Sequence, residues 1–302
     1  MKTASTQRSL KDYLMVLLSG FLMGTADIIP GVSGGTMAFI LGIYDELIEA
    51  IQAALPFLRN LLRLRWREAF GQFPWRFLLV LVSGIALAIL SLARLMHWAL
   101  DEHPDYIYAF FFGLILASIL AVRRRVRRWS PGTLLTAALA AIGAYLLVGL
   151  TPAQTPEALW FIFLCGALAI CAMILPGVSG AFILVLLGKY QYILNALLTF
   201  DLSTILVFIV GAAFGLLAFS GVLRWLLRHR HDLTVAALLG FMAGALREIW
   251  PWKDYIHVDE IPAGDVNVLP SLAQGETWLA LGLMALGFCV VLLIERAAHR
   301  RR

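Results

Sequence analysis

Residues 24–36 are Gly-Thr-Ala-Asp-Ile-Ile-Pro-Gly-Val-Ser-Gly-Gly-Thr, and residues 171–180 are Cys-Ala-Met-Ile-Leu-Pro-Gly-Val-Ser-Gly. Both stretches contain Pro-Gly-Val-Ser-Gly, and the second copy follows the first by 146 positions. Each copy lies within a long apolar run. An α-helix cannot continue undisturbed through this pentapeptide, because proline lacks an amide donor and glycine favours non-helical backbone. The repeat therefore predicts two broken helices that meet at one site.

The composition is typical of a polytopic membrane protein. Of the 302 residues, 61% are hydrophobic and 14% are charged, and the mean hydropathy is +0.85. Apolar runs long enough to cross a hydrocarbon core of ~30 Å recur along the chain. The three cysteines lie in apolar runs and are expected to be small buried side chains. These features predict an all-α membrane protein without a metal site or a cofactor.

The chain divides into two predicted halves, residues 1–150 and 151–302, with the same order of segments. Each half is expected to contain a re-entrant hairpin around its broken helix, followed by three transmembrane helices. The hairpins are predicted at about 13–51 and 158–198. The membrane spans are predicted at about 77–98, 106–122, 133–150, 203–224, 234–250 and 277–294, with a longer acidic loop from Pro251 to Thr277. Matches outside the pentapeptide support the repeat, among them Gly20 with Gly166, Gly42 with Gly188, and Tyr44 with Tyr190.

Charge predicts the orientation of these segments. Basic residues cluster at positions 2–11, 59–76, 123–128, 224–230 and 296–302, and the intervening loops are acidic. The positive-inside rule puts the basic clusters and both termini in the cytoplasm. Both ends of the first hairpin are then cytoplasmic and both ends of the second are external, so the second half is inverted. Inverted repeats with discontinuous helices are typical of secondary transporters. Charge leaves open whether each hairpin turns within the membrane or crosses it fully.

The broken helices supply the candidate binding residues. Ser33 and Ser179 are expected to be the N-caps of the helices after each break, with free amides beyond them that suit an anion. The bland alternatives are that each serine only caps its own helix and that the glycines only allow close packing. The predicted substrate-binding residues are Pro30, Gly31, Val32, Ser33, Gly34, Gly35, Thr36, Pro176, Gly177, Val178, Ser179 and Gly180.

Acidic side chains near the first break have several interpretations. Asp27 is near the depth of the break, where a charge is costly and usually functional. It could bind a cation, carry a coupling proton or accept hydrogen bonds from the facing turn, and a protonatable or structural role is favoured over contact with an anion. Its counterpart in the second half is Met173. Asp45, Glu46 and Glu49, near the cytoplasmic end of the returning helix, are expected to be solvated.

Three basic residues lie outside both the cytoplasmic clusters and the external loops. Arg94, Lys189 and Arg247 all fall toward the outer ends of their segments, on the side that the positive-inside rule disfavours. One hypothesis is that they draw a phosphate head group from the outer leaflet toward the repeated stretches. The alternative is that they extend to the membrane surface or pair with neighbouring groups.

The paired motifs resemble those of the bacterial PopT family. The resemblance rests on residues 26–36 with Leu41-Gly-Ile-Tyr44, and on residues 175–180 with Leu187-Gly-Lys-Tyr190. It implies a polyprenyl-phosphate transporter of the inner membrane that returns undecaprenyl phosphate from the outer to the cytoplasmic leaflet for cell-envelope synthesis, including peptidoglycan. The partners implied are the lipid substrate and the bilayer, with no nucleic acid, and the oligomeric state is left open.

Two other function classes compete with this interpretation. An enzyme acting on lipid phosphate would need a nucleophile and a base at depth, but all six histidines fall in predicted loops or at segment ends, so the chain is not expected to be an enzyme. A secondary transporter or channel for a small soluble anion remains the alternative, because anion sites at helix ends serve those proteins as well.

Overall fold

The computed structural model describes residues 8–29, 32–150, 155–258 and 261–299, and most of them are helical. The helices are α1 (Leu10–Ile28), α2 (Gly34–Ile40), α3 (Tyr44–Gln52), α4 (Ala54–Leu62), α5 (Trp66–Gln72), α6 (Trp75–Glu102), α7 (Pro104–Val122), α8 (Pro131–Val148), α9 (Leu159–Ile174), α10 (Gly180–Leu186), α11 (Tyr190–Leu198), α12 (Leu202–His229), α13 (His231–Ala245) and α14 (Gly275–His299). A short 3₁₀ turn, Arg123–Arg125, follows α7. The strands β1 (Lys253–Val258) and β2 (Ile261–Asn267) pair antiparallel within the predicted acidic loop. Apart from this small hairpin, the all-α prediction is confirmed.

Five helices in the described residues are long and apolar enough to cross a membrane, and the protein is an integral membrane protein. They are α6, α7 with its following turn, α8, α12 and the Gly275–Leu293 part of α14. The predicted span at 234–250 is wrong at its end, because α13 stops at Ala245. Beyond that residue the Glu248 amide bonds to the Ala245 carbonyl, only three residues back. This tighter turn precedes Pro251, which cannot continue a helix.

Each predicted hairpin contains a second bend that the sequence analysis did not place. The segments expected to run as single helices after the breaks are split at Gly42 and Gly188, whose φ angles are +76° and +61°. At both bends an amide bonds five residues back, from Ile43 to Ala38 and from Lys189 to Leu184. This pattern is the Schellman motif, in which glycine takes the left-handed position after a helix. As a result α10 and α11 are bent by 106° relative to each other.

The order and lengths of the elements repeat along the chain. Both α2 and α10 have seven residues, α3 and α11 have nine, and α6 and α12 have 28. The most extensive helix pairs are α1 with α6, α9 with α12, α8 with α13, and α7 with α14. Equivalent glycines lie at equivalent crossings. A Cβ added at Gly20 would overlap the Leu81 carbonyl of α6, and one at Gly166 would overlap the Phe208 carbonyl of α12.

The buried core surrounds the first broken helix. Ile29, Phe39 and Tyr44 are at most 1% exposed, and they belong to one apolar cluster with Val235 and Met242 of α13. Burial of large side chains on this scale is the main favourable contribution to folding. The described part of the backbone that the sequence marks as irregular is therefore buried inside the protein, as membrane depth requires.

Candidate functional site

The two repeated stretches contact each other directly. The Ser33 hydroxyl donates to the Met173 carbonyl at 3.1 Å, and the Gly177 amide donates to the Thr36 hydroxyl at 2.8 Å. Ser33 is 2% exposed and Thr36 is fully buried, so these hydrogen bonds form away from water, where an unpaired polar group would be costly. The broken helices thus meet, as the sequence predicts.

Glycine makes this close approach possible. A Cβ at Gly35 would lie 2.6 Å from the Met173 carbonyl oxygen and 2.8 Å from that of Ile174. Gly177 has a φ of +94°, and a Cβ there would lie 3.0 Å from the Met242 Cα. A side chain at either position would push two backbones apart. Close packing, one of the two interpretations of these glycines, is therefore present here.

The start of α2 is fully satisfied by groups within the protein. The Gly34 amide donates to the Asp27 carboxylate at 2.7 Å, the Gly35 amide to the Ser33 hydroxyl at 3.1 Å, and the Thr36 amide to the Ser33 carbonyl at 2.9 Å. Ser33 is thus the predicted N-cap. Asp27 accepts a hydrogen bond from the helix that follows it in its own half, whereas the structural role considered for this residue was to accept hydrogen bonds from the facing turn.

The start of α10 is different. Ser179 occupies the N-cap position, but its side chain makes no capping hydrogen bond, so the expectation of two equivalent capping serines is wrong. Within the described residues, the amides of Gly180, Ala181 and Phe182 have no hydrogen-bond acceptor. Ser179 is also partly exposed, whereas Ser33 is buried. The facing residue also differs at the first position of each helix: Asp27 accepts the Gly34 amide, and its counterpart Met173 has no carboxylate to accept that of Gly180.

The remaining predicted binding residues occupy two kinds of position. Val32 and Val178 are 2% and 3% exposed and pack into the core, so they position the backbone. Pro176 is buried next to Gly177. Pro30 and Gly31 lie outside the described residues.

The three unusual basic residues do not contact the repeated stretches. The Lys189 ammonium is in the turn at the far end of α10, is 3% exposed, and donates to the Thr155 carbonyl at 2.9 Å. Arg247 donates to the Tyr145 carbonyl at 3.1 Å and stacks on that ring with 4.5 Å to its centroid. These contacts favour the pairing alternative for both residues. Arg94 is exposed on α6, and its attraction of a phosphate group stays a prediction.

The sequence analysis missed a set of polar contacts on α3. The buried Tyr44 hydroxyl donates to the Ile174 carbonyl at 2.9 Å, and the Gln52 amide donates to the Ser220 hydroxyl at 2.6 Å. Glu46 forms an ion pair with Arg8, and Glu49 forms one with Arg228 at 3.1 Å. The two glutamates are therefore paired at the surface, whereas they were expected to be only solvated. Tyr44 could have been found from the repeated Leu-Gly-x-Tyr pattern.

In the part of the chain that the structure describes, no three His, Cys, Asp or Glu side chains come together to hold a metal ion. The two repeated stretches form a polar junction inside an apolar protein. In the described residues, the amides at the start of α2 are paired and those at the start of α10 are not. Unpaired amides and a hydroxyl at such a place can bind an anionic group by hydrogen bonds.

Comparison with known proteins identifies the family. The family model described as VCA0040-like, undecaprenyl phosphate translocase-like, matches residues 23–266. A polyprenyl-phosphate transporter from Vibrio cholerae serotype O1 is 40% identical over 302 residues, covering 96% of this chain and 98% of the relative. Another from Staphylococcus aureus is 29% identical over 253 residues, covering 78% of this chain and 85% of that protein. No solved structure matches the chain. These matches confirm the resemblance of the paired motifs, and the chain belongs to the VCA0040-like family of undecaprenyl phosphate translocase-like proteins.

Proposed function

We propose that this protein carries undecaprenyl phosphate from the outer to the cytoplasmic leaflet of the bacterial inner membrane, so that the carrier lipid can be reused in cell-envelope synthesis. Family membership and two relatives named polyprenyl-phosphate transporters support the substrate class. The observation that carries the proposal is the junction of the two repeated stretches, at which Ser33 bonds to Met173 and Thr36 to Gly177. A phosphate head group needs such a polar place within the membrane, whereas the isoprenoid tail can remain in lipid.

The proposed architecture is an inverted repeat, with both termini in the cytoplasm. The matching element lengths and the matching helix crossings at Gly20 and Gly166 support two equivalent halves, residues 1–150 and 151–302. The basic clusters and the odd number of spans between the hairpins support their opposite orientation. Transporters of this architecture bind substrate near the midplane, between the repeats.

The head group is proposed to bind on the α10 side of the junction. The Ser179 hydroxyl and the amides of residues 180–182 lack acceptors there within the described residues. The equivalent amides of α2 are occupied by Asp27 and Ser33. The proposed role of Asp27 is to hold the start of α2.

The conformation is proposed to be the one that opens toward the outer leaflet. Polar contacts hold α3 at three points: Glu46 to Arg8, Glu49 to Arg228, and Gln52 to Ser220. The equivalent positions on α11 are Tyr192, Asn195 and Leu198. Leu198 has no polar group, and the contact of Tyr192 with Lys189 stays within the same hairpin. These side-chain contacts therefore hold the first hairpin to its neighbours, and the described part of the second hairpin lacks their equivalents. Transport then requires the first hairpin to separate from its neighbours while the second closes.

Reconstitution into vesicles tests the function. We expect purified protein to move a polyprenyl phosphate across the bilayer, measured by the fraction of a fluorescent analogue that becomes accessible at the opposite leaflet. The vesicles should be loaded with an anion-sensitive dye at the same time. Anion flux without lipid movement would favour the rival function, a transporter or channel for a small soluble anion.

Serine substitutions test the asymmetry of the site. We expect Ser179→Ala to raise the KM for the lipid about tenfold, since a hydrogen bond to a charged group contributes roughly 1.5–3 kcal/mol. Its melting temperature should be unchanged, because the hydroxyl has no partner in the described protein. Ser33→Ala should instead lower the free energy of unfolding by about 1 kcal/mol through loss of the cap. If the two variants exchanged these effects, the head group would have to bind on the α2 side.

A further inference from the structure

A groove of about 750 Å³ lies between α7, α8 and α13, on the exposed side of the α8–α13 pair. Ala138 and Ala141 of α8 and Ala243 of α13 line its body. These helices pack so closely that a Cβ at Gly240 would overlap the Ala137 carbonyl. The small side chains on both helices leave the body of the groove apolar. From Leu134 to Ala141 the groove follows α8 for roughly 10 Å at 1.5 Å per residue.

One end of the groove is basic and fixed in place. Arg123 and Arg124 line this end together with Trp129. The loop that carries the tryptophan is anchored, because the amides of Arg127 and Arg128 both donate to the Asp232 carboxylate, at 3.1 Å each. The groove thus combines two cationic side chains and an interfacial indole with an apolar body.

The groove is separate from the proposed transport site. Helix α13 lies between them and presents different residues to each. Met242 faces the Gly177 turn, whereas Gly240 and Ala243 face the groove. A molecule in the groove therefore would not contact the repeated stretches, although it would press on a helix that does.

We propose that this groove binds an anionic phospholipid of the cytoplasmic leaflet, with its phosphate on Arg123 and Arg124 and one acyl chain along α8 and α13. Guanidinium groups pair with phosphate oxygens through charge-assisted hydrogen bonds. Tryptophan favours the membrane interface, and basic pockets between membrane helices on the cytoplasmic side suit anionic head groups. The choice of leaflet rests on the proposed orientation. The phospholipid is chosen over the transported lipid because the groove lies apart from the junction.

Trp129 supplies a probe for the test. The protein is placed in phosphatidylcholine vesicles that contain increasing fractions of phosphatidylglycerol or phosphatidylcholine brominated on an acyl chain. The quenching specific to this residue is the difference between the wild type and Trp129→Phe. We expect brominated phosphatidylglycerol to quench it at about tenfold lower mole fraction than brominated phosphatidylcholine. Equal quenching by the two lipids would overturn the proposal.

Paired variants locate the site. Arg123→Gln with Arg124→Gln should abolish the preference for phosphatidylglycerol, whereas Arg127→Gln with Arg128→Gln removes the same charge from the same loop outside the groove and should keep it. Ala138→Phe should reduce quenching by both lipids, and Leu139→Phe, on an exposed position beside it, should not. Equal losses in the two arginine pairs would mean diffuse attraction and contradict the proposal. Displacement of phosphatidylglycerol by one equivalent of polyprenyl phosphate would also contradict it and assign the groove to the substrate, whether or not the reconstituted protein transports that lipid.

Discussion

Replacing Gly35 with alanine is expected to reduce polyprenyl-phosphate transport about tenfold. The added methyl group would lie 2.6 Å from the Met173 carbonyl oxygen and 2.8 Å from that of Ile174, both of which are backbone atoms that cannot rotate away. Relief requires α2 to move off α9, which would break the Ser33 and Thr36 hydrogen bonds. Overpacking of this kind costs about 1–3 kcal/mol, and 1.4 kcal/mol is already a factor of ten.

Transport in vesicles and thermal unfolding in detergent check this prediction together. Gly143→Ala is the matched control, because it adds the same methyl group to α8 where no atom lies within 4 Å, and it should transport like the wild type. Thr36→Val removes the hydroxyl that accepts from Gly177 without adding volume, and should lower transport about fivefold. Wild-type transport in Gly35→Ala would mean that the contact between the stretches does not matter.

A covalent cross-link between α3 and α12 is expected to stop transport completely. Glu49 and Arg228 form an ion pair of 3.1 Å between these helices, with 60% and 52% of the side chains exposed. An exposed pair of this kind contributes at most about 1 kcal/mol, so it can open during each transport cycle. A covalent bridge between cysteines at the two positions cannot open. If α3 must leave α12 to release lipid into the cytoplasmic leaflet, the bridged protein is held in one conformation.

The experiment starts from a variant in which Cys165, Cys171 and Cys289 are replaced by alanine. Glu49→Cys and Arg228→Cys are then joined by a short reducible bifunctional reagent, and transport is measured before and after reduction. Activity should fall to background and return when the bridge is cleaved. As a control, Arg65→Cys with Glu68→Cys joins the ion-paired N-cap and first turn of α5 and should leave transport intact. Full activity in the bridged Glu49 and Arg228 variant would show that α3 and α12 stay together throughout transport.

The parts of the fold that were predictable depend on local chemistry. Pro-Gly-Val-Ser-Gly breaks a helix wherever it occurs, so both breaks and their duplication follow from the sequence. The bends at Gly42 and Gly188 were missed although a glycine in each Leu-Gly-x-Tyr stretch marks them. A single glycine barely changes the mean hydropathy of a long apolar run. The end of α13 was misplaced for a similar reason, since Leu246 and Ile249 continue the apolar pattern after the helix has ended.

The asymmetry of the site was predictable only in part: the counterpart of Asp27 is visibly Met173, but the contacts of Ser33 and Thr36 with the second stretch join residues 140 and 141 positions apart. Ser33 and Ser179 occupy identical pentapeptides, yet only Ser33 caps its helix. What faces each break accounts only for the first amide of each helix, since Asp27 accepts that of Gly34 and Met173 offers no carboxylate to that of Gly180. The pairing of Glu49 with Arg228 likewise joins residues 179 positions apart, and charge patterning alone could only expect each of them at a polar surface.

The pairing of α7 with α14 has a consequence for how the protein is made. Gly113 of α7 packs directly against the Met284 backbone, and Gly287 of α14 packs against that of Phe110. Each helix therefore buries the small-residue face of the other. During synthesis α7 enters the membrane about 170 residues before its partner exists. Its small-residue face therefore lacks its partner until α14 has been translated. The close contact between α7 and α14 can therefore form only after α14 has been made, and a chain truncated before α14 would leave this face of α7 without its partner.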